Sequence, residues 1–325
     1  RYYHNFHLKD VFLLNERVFL IWDAWPLRKK YTKFVMYMSY LSVHMVIMYI
    51  DLIEAFGNLE SMVGNIIDNT IATATYFILF LLRFNKLIEH GIVTVREEIA
   101  KSKFETVEEM RLYFAYHNIS DKFGRYAITT TLVIATLWYL SPMLHLLNNE
   151  SSKAYKLPFR AYAFLDYQDD FRNFIIMYLY QFPLVFIALS HISAISLLVN
   201  LVLHICGKFS ILSYRIQNIA TNSNVNLDSV IKEFVILHWL MKIFESVKNF
   251  CVHIVRISMK VSEAFYATDW NNLSLHNQKL LLLVMSLGRQ TLHVTAGKFY
   301  TFSLYGFIDV MKTSFGYVSL LRTLI

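Results

Sequence analysis

The sequence predicts an all-helical membrane protein, and three observations carry that prediction. Hydrophobic residues make up 56% of the 325 positions and charged ones only 17%, with a mean hydropathy of +0.39. Soluble domains typically carry about 25% charge and under half apolar residues. Only 9 Gly and 4 Pro punctuate the chain, too few for an all-β protein that turns about every 8–12 residues. The net charge of +7 is gathered in blocks between apolar runs. That arrangement fits basic loops beside a membrane better than a nucleic-acid surface.

The spans follow in order, given that about 20 apolar residues cross a bilayer as a helix. The first is FVMYMSYLSVHMVIMYI, 34–50, and the second IIDNTIATATYFILFLL, 66–82. The third is AITTTLVIATLWYLSPMLHLL, 127–147. The fourth apolar run, 174–205, is too long for one crossing and is expected to project beyond the bilayer as a single helix. LLLLVMSLG, 280–288, is too short to span, and 299–325 closes the chain as a last apolar helix. Residues 236–270 hold no clean run: Arg256, Lys260 and Glu263 interrupt it, so they must face a polar cavity or the helix ends. The junction Asn249-Phe250-Cys251 reads as a point at which a segment is missing. VREEIAKSKFETVEEMR, 95–111, reads as a charged helical extension with a solvated face.

Lys and Arg set the orientation. The N-terminal stretch holds seven: Arg1, Lys9, Arg17, Arg28, Lys29, Lys30 and Lys33. Residues 51–65 hold none, 83–126 hold eight, and 148–173 hold four balanced by Glu150, Asp166, Asp169 and Asp170. The N-terminus is therefore expected in the cytoplasm, which weighs against a rhodopsin-like receptor. The sequon Asn149-Glu150-Ser151 falls on the outer side in this layout, while Asn118-Ile119-Ser120 and Asn272-Leu273-Ser274 fall inside. Chain start at Arg1 rather than Met suggests a missing natural N-terminus, and no signal-peptide pattern precedes the first span.

Enzymatic and metal chemistry find no support in the motifs. The 12 His form no HxxxH or His-Cys set, and His191 and His204 read as satisfying local polar groups. No GxSxG, Walker loop or GxGxxG occurs, so no cofactor is expected. The two cysteines, Cys206 and Cys251, suggest no disulfide framework. Asp309 and Lys312, at i and i+3, either pair with each other or lie where water enters.

Several stretches together resemble the insect odorant receptor family. IWDAWPL, 21–27, resembles its Trp-Pro approach to the first span. LPFRAYAFLDYQDDFRNFIIMYLYQ, 157–181, resembles its outer loop, and SEAFYATDW, 262–270, the end of its sixth helix. The closing segment resembles its last helix, with Ala296-Gly297 as a pivot and a Leu-Leu-Arg ending. The resemblance implies seven transmembrane helices, a cytoplasmic N-terminus and an extracellular C-terminus. It also places a helix where the junction at 250–251 reads as a gap. It implies a single seven-helix domain over 1–325, with about 206–250 and 271–297 as a cytoplasmic anchor region. A volatile organic ligand is implied, with odorant coreceptor subunits as partners in a heterotetramer and the plasma membrane of olfactory neuron dendrites as location. The function implied is a ligand-gated, nonselective cation channel whose last helices line one central pore. The short loop after the fourth helix suggests a tuning subunit rather than the coreceptor. A gustatory-type homomeric channel is the alternative, weakened by Gly316-Tyr317 and Thr323-Leu324 where that family has Thr-Tyr and Gln-Phe. A transporter is the third class, but it needs broken helices at mid-membrane, and Pro142 and Pro183 are the main interruptions.

In the last helix the 3.6-residue period aligns Thr313, Gly316 or Tyr317, Leu320 and Thr323–Leu324 on one stripe. By resemblance Leu320 and Leu324 map to the gate, where a leucine ring can close by dewetting, and Thr323 lines it beside them. The alternative is that Thr313 and Gly316 are packing residues and the leucines face lipid. For the ligand pocket, the topology points to Thr70, Thr73 and Ala74 on the second helix. It points to Thr131, Ile134 and Trp138 on one face of the third, and to Met177, Tyr178 and Gln181 on the fourth. His253 and Ile257 join from the sixth. Trp138 is the leading aromatic contact and Gln181 the leading hydrogen-bond partner. The alternatives are ordinary packing for Trp138 and a neighbouring helix as the partner of Gln181. Arg322 is expected near the outer interface, snorkelling to water or headgroups.

Overall fold

The computed structural model describes residues 11–217, apart from 57, 102–103, 105, 148–154 and 160–169. Beyond these it describes residues 232, 266, 275, 278–279, 282, 295–296, 300–301, 309, 312–313 and 316. Within residues 11–217, seven α-helices run in order: α1 (Leu13–Leu20), α2 (Thr32–Glu54), α3 (Leu59–Phe84), α4 (Lys86–Lys101), α5 (Val107–Leu147), α6 (Phe171–Tyr180) and α7 (Val185–Gln217). A 3-10 turn, Phe182–Leu184, joins α6 to α7, and a two-residue hairpin pairs β1 (Thr295–Ala296) with β2 (Tyr300–Thr301). Four stretches among the described residues are long and apolar enough to cross a membrane: Thr32–Glu54, Ser61–Phe84, Val107–Leu144 and Phe171–Ile216. Two compact units divide the chain, one of residues 1–102 with 121–197 and the other of residues 103–120 with 198–325.

In the first unit, α2 is apolar all round. Phe34, Tyr37, Met38, Leu41, His44 and Met48 are buried on one face. The opposite face exposes Val35, Met36, Val43, Val46, Ile50 and Ile53. A helix with no polar face belongs in a core or in lipid. With only 28% of its span window buried, lipid is the consistent solvent. Since lipid gives helices no hydrophobic reason to associate, polar pairs and small residues must do it. The α3 side chains supply them. Asn65 and Asn69 donate to the carbonyls of Asp51 and Met48, both at 3.3 Å. Thr73 meets Tyr49 at 3.0 Å and Tyr76 meets Ser42 at 3.1 Å. These pairs run antiparallel along α2 and α3, and Asn58 caps α3 by accepting from the Ser61 amide at 3.2 Å.

The end of this pair where α2 begins and α3 finishes is locked by Arg83. Its guanidinium donates to the carbonyls of Trp25 (2.5 Å), Pro26 (3.2 Å), Lys30 (3.1 Å) and Arg28. It also lies 4.1 Å from the Tyr31 ring centroid. The stretch before α2 is thereby folded back as a hook. Trp25 is buried, and Trp22 stacks on Tyr37 with centroids 4.3 Å apart. Asn15 of α1 donates to the Ser193 carbonyl at 2.7 Å and Arg96 of α4 pairs with Glu16 at 2.5 Å, so both short helices are tied to the unit.

In the second unit, the start of α5 and the end of α7 form an antiparallel polar seam. Thr106 opens α5 by accepting from the Glu109 amide at 3.2 Å, the first half of a capping box. The Glu109 carboxylate accepts from both Arg215 nitrogens at 2.8 and 3.1 Å. Tyr113 meets His204 at 2.9 Å, Ser210 donates to Tyr116 at 3.1 Å, and Ser120 donates to Asn200. Gly207 lets the Tyr113 ring close in: a Cβ there would lie 3.1 Å from it. Ser120 of the Asn118 sequon is thus buried in a helix.

Several sequence expectations are adjusted. The charged extension 95–111 is two helices, α4 ending at Lys101 and α5 beginning at Val107. The α5 helix is 41 residues long, about 60 Å at the α-helical rise, twice a hydrocarbon core. Its apolar span therefore shares one helix with the charged stretch before it. The fourth run is not one helix over 174–205: Pro183 removes an N–H and α6 gives way to the 3-10 turn before α7. The last helix does not start at 299, since Tyr300 and Thr301 pair with Ala296 and Thr295. Residues 309, 312, 313 and 316 are helical. The junction at Phe250–Cys251 lies outside the described residues.

Replacing Arg83 with Met leaves the buried carbonyls of Trp25 and Pro26, and the part-buried ones of Arg28 and Lys30, short of a donor. Hydrogen bonds to a charged group are worth about 1.5–3 kcal/mol each; water can replace the donor at the two part-buried carbonyls, so the two buried ones set an expected loss of about 3–6 kcal/mol. The thermal unfolding midpoint of the purified full chain checks this, and an unchanged midpoint removes Arg83 as the lock.

Candidate ligand site and pore helix

The break at Pro183 builds the site. In a continuous helix the Leu184 amide would bond to the Tyr180 carbonyl; here it bonds to Gln181 at 3.0 Å. The Tyr180 carbonyl is freed, and the Tyr40 hydroxyl donates to it at 2.8 Å. The Pro183 carbonyl accepts from the Tyr37 hydroxyl at 3.4 Å, and the Tyr178 carbonyl from the Tyr139 hydroxyl at 2.8 Å. Three tyrosines, two from α2 and one from α5, therefore hold the non-helical turn.

Tyr139 and Tyr178 are a reciprocal pair. Each hydroxyl donates to the other residue's carbonyl, Tyr178 to Tyr139 at 2.7 Å, and the ring centroids lie 4.5 Å apart. Around them Phe174 and Val185 are buried, and Ala135, Met143, Tyr155, Leu157, Phe159 and Ile175 pack against the cluster. Tyr155 stacks on Phe174 with centroids 5.0 Å apart, which carries the loop before α6 onto the helices. Gln181, fully buried, clasps that loop through both ends of its amide. Its nitrogen donates to the Phe159 carbonyl at 2.8 Å, and its oxygen accepts from the Phe159 amide at 3.0 Å. The cluster is apolar and aromatic, and its two paired hydroxyls and one amide are bonded to backbone groups.

The sequence-predicted ligand residues are distributed unevenly about this cluster. Met177, Tyr178 and Gln181 are buried in or beside it. Gln181 has its amide committed to Phe159, the loop before α6 rather than a neighbouring helix. Trp138 is 62% exposed and Ile134 60% exposed, and Thr131 is half-buried. The Trp138 indole N–H donates to the Pro158 carbonyl at 2.8 Å. Thr70 is exposed and donates to the Ile66 carbonyl of its own helix at 2.7 Å; Thr73 is taken by Tyr49; Ala74 is half-buried. His253 and Ile257 lie outside the described residues. Sequence reasoning missed Tyr139, Phe174, Tyr155 and Phe159. The signal was the neighbouring stripe on α5: Ala135, Tyr139 and Met143, spaced i, i+4 and i+8, are the residues packed here.

Of the predicted pore residues, Thr313 and Gly316 are helical and exposed on this chain, and Thr313 donates to the Asp309 carbonyl at 2.7 Å. A Cβ added at Gly316 meets nothing within 4 Å. Leu320, Thr323 and Leu324 lie outside the described residues, as does Arg322.

Against known proteins, the model of the family described as 7tm Odorant receptor matches residues 236–315. The chain also superposes on the insect olfactory receptor OR5 from Machilis hrabei in complex with eugenol, with a TM-score of 0.75 at 13% identity. That match covers 98% of this chain and 100% of the other. The family match spans residues 236–315 alone, and the superposition shows a shared fold. The structure of OR5 itself, from the same organism, matches this chain with a TM-score of 0.72 at 11% identity, over 98% of this chain and 100% of that one. No curated protein sequence matches it. The fold of OR5 is thus shared along the length of the chain, at low sequence identity.

Proposed function

We propose that this chain is the odorant-sensing subunit of a ligand-gated, nonselective cation channel in a sensory-neuron plasma membrane, assembled as a heterotetramer with odorant coreceptor subunits. The observation that carries the reading is the aromatic cluster of Tyr139, Phe174 and Tyr178 against a broken helix, within a fold shared with a eugenol-bound olfactory receptor. With the N-terminus in the cytoplasm, the cluster lies in the outer half of the bundle, and a volatile ligand binds against it. Met177, Tyr178 and Tyr139 contribute apolar and aromatic contact; Gln181 holds the loop before α6 over them. Thr131, Ile134 and Trp138 form the adjoining outer face of α5, with Trp138 at the interfacial depth where a wet N–H and an apolar ring both find partners.

Thr313 and Gly316 mark the small, polar side of the pore helix, with Leu320 and Leu324 as its gate and Thr323 beside them. Ligand binding opens this gate only in so far as the ligand binds the open state more tightly than the closed one.

Expression with and without the coreceptor tests the assembly. Odorant-evoked current only on co-expression is the expected result; robust current from this chain alone would establish a homomeric, gustatory-like channel instead. In that co-expressed channel, Tyr139→Phe should shift the half-maximal odorant concentration by about tenfold, the equivalent of 1.4 kcal/mol. Ile134→Ala should shift it by less than about twofold, and responses to an agonist acting on the coreceptor should be unchanged in both. An equal shift for the two variants would detach the cluster from ligand binding. Leu320→Ala should raise the resting leak, read as current without ligand; single-channel records matching the wild type would remove Leu320 from the gate.

A further inference from the structure

The mechanism above leaves one charged surface unused. Lys29, Lys30 and Lys33 are exposed where the chain enters α2, and Lys86 is exposed where α3 passes into α4. Among the described residues none of these four lysines has an ion-pair partner. Arg28, beside them, is 45% exposed and pairs with Asp23 at 3.3 Å.

Two helix ends bring these groups to one place. Arg83 bonds the carbonyls of Arg28 and Lys30, the latter at 3.1 Å. One residue on, Phe84 stacks on Tyr31 with centroids 6.4 Å apart and meets Phe34 edge-on at 5.8 Å. The backbone of the basic turn is thereby pinned from inside by a buried guanidinium, and its lysine side chains are left outside. The same rim exposes large apolar groups: Tyr31 at 50%, Phe84 at 53% and Leu87 at 61%. Glu89, one turn into α4 and also exposed, is the only carboxylate within the first turn after Lys86. Lysines above exposed aromatic and aliphatic side chains, at the start of an apolar span, match a bilayer surface in both layers. The ammonium groups meet headgroup phosphates and the rings sit among acyl chains.

We infer that the rim formed by Lys29, Lys30, Lys33 and Lys86, pinned by Arg83, binds anionic phospholipid headgroups of the leaflet facing the N-terminus. Arrangement favours lipid over a protein partner: the positive charge sits at the membrane edge of α2 and α3 rather than on a face turned away from it. On the proposed topology this is the cytoplasmic leaflet, the one rich in anionic lipid. The inference rests on that orientation only for which leaflet is bound.

The test uses the full chain purified in detergent, presented with phosphatidylserine and phosphatidylcholine of equal chain length, with bound lipid counted by native mass spectrometry. Wild type should retain phosphatidylserine in preference. Each lysine near an anionic surface is worth about 1 kcal/mol, about fivefold in occupancy, so Lys29→Gln/Lys30→Gln should lower phosphatidylserine retention at least tenfold. The matched double variant Lys122→Gln/Lys156→Gln removes the same charge elsewhere and should stay within about twofold. No preference for phosphatidylserine in the wild type, or an equal fall in both double variants, overturns the site. Lys29 and Lys30 lie in a turn with their side chains exposed, so size-exclusion of both variants as single sharp peaks is expected. If only the first variant aggregates, Lys86→Gln alone is read instead, with about a fivefold fall expected and an unchanged ratio overturning the site. None of these readings needs an odorant, a current or the coreceptor, so failure here leaves the channel reading standing.

Discussion

Inside a bilayer no water waits to satisfy a backbone carbonyl, and leaving one unpaired costs several kcal/mol. Pro183 breaks a membrane-embedded helix and frees carbonyls at a depth where they must find donors. The chain answers with tyrosines. A phenol reaches across a helix interface with an apolar ring and ends in one hydroxyl, so it packs and donates with the same side chain. Tyr37, Tyr40 and Tyr139 each take one carbonyl of the break. Two different helices are thereby fastened to a single turn. The geometry of the aromatic cluster is set by hydrogen bonds with fixed directions rather than by apolar packing alone.

The same economy governs the rest of the first unit. Apolar residues cover the outside of α2 and α3 as fully as the inside, so burial of grease does not choose which faces meet. Asn65, Asn69, Thr73 and Tyr76 do, because each has its partner on α2 and would otherwise be stranded in lipid. Arg83 extends this logic to a charge. A guanidinium with five donors meets four carbonyls of one folded strand and an aromatic face. The second unit carries its own version in the buried Glu109–Arg215 pair. Removing one partner there would leave an uncompensated buried charge.

These rules explain what the sequence made legible. Helix count and span positions depend on length and hydropathy, and α2, α3 and α5 contain the three runs read from composition. The capping Thr106 with Glu109 and the capping Asn58 are local signals, visible as residue types. Helix rotation was not legible from apolarity, because a lipid-facing stripe and a core-facing stripe use the same residues. Thr131, Ile134 and Trp138 make a sound helical face, and so do Ala135, Tyr139 and Met143, one residue over. The break at 181–184 was visible as Pro183, but a long apolar run outweighed it in the reading of one continuous helix. The start of the last helix was obscured in the same way, since Tyr300 and Thr301 are apolar enough to extend a span yet pair as a strand.

The contrast between Trp138 and Tyr139 shows how the rotation is decided. They are neighbours on α5, about 100° apart around the axis. The Trp138 indole carries one donor and reaches the Pro158 carbonyl from the rim, with the ring left largely outside. The Tyr139 hydroxyl donates to the Tyr178 carbonyl while the Tyr139 carbonyl accepts from the Tyr178 hydroxyl, a two-way exchange that fixes this face of α5. Turning α5 to bury Trp138 would pull Tyr139 out of that exchange and strip the Tyr178 carbonyl of its phenol donor beside the break. The polar requirement of one turn on the fourth span thus selects the inward face of the third. The aromatic residue facing the cluster is the one whose hydroxyl reaches the Tyr178 carbonyl, not the one with the larger ring.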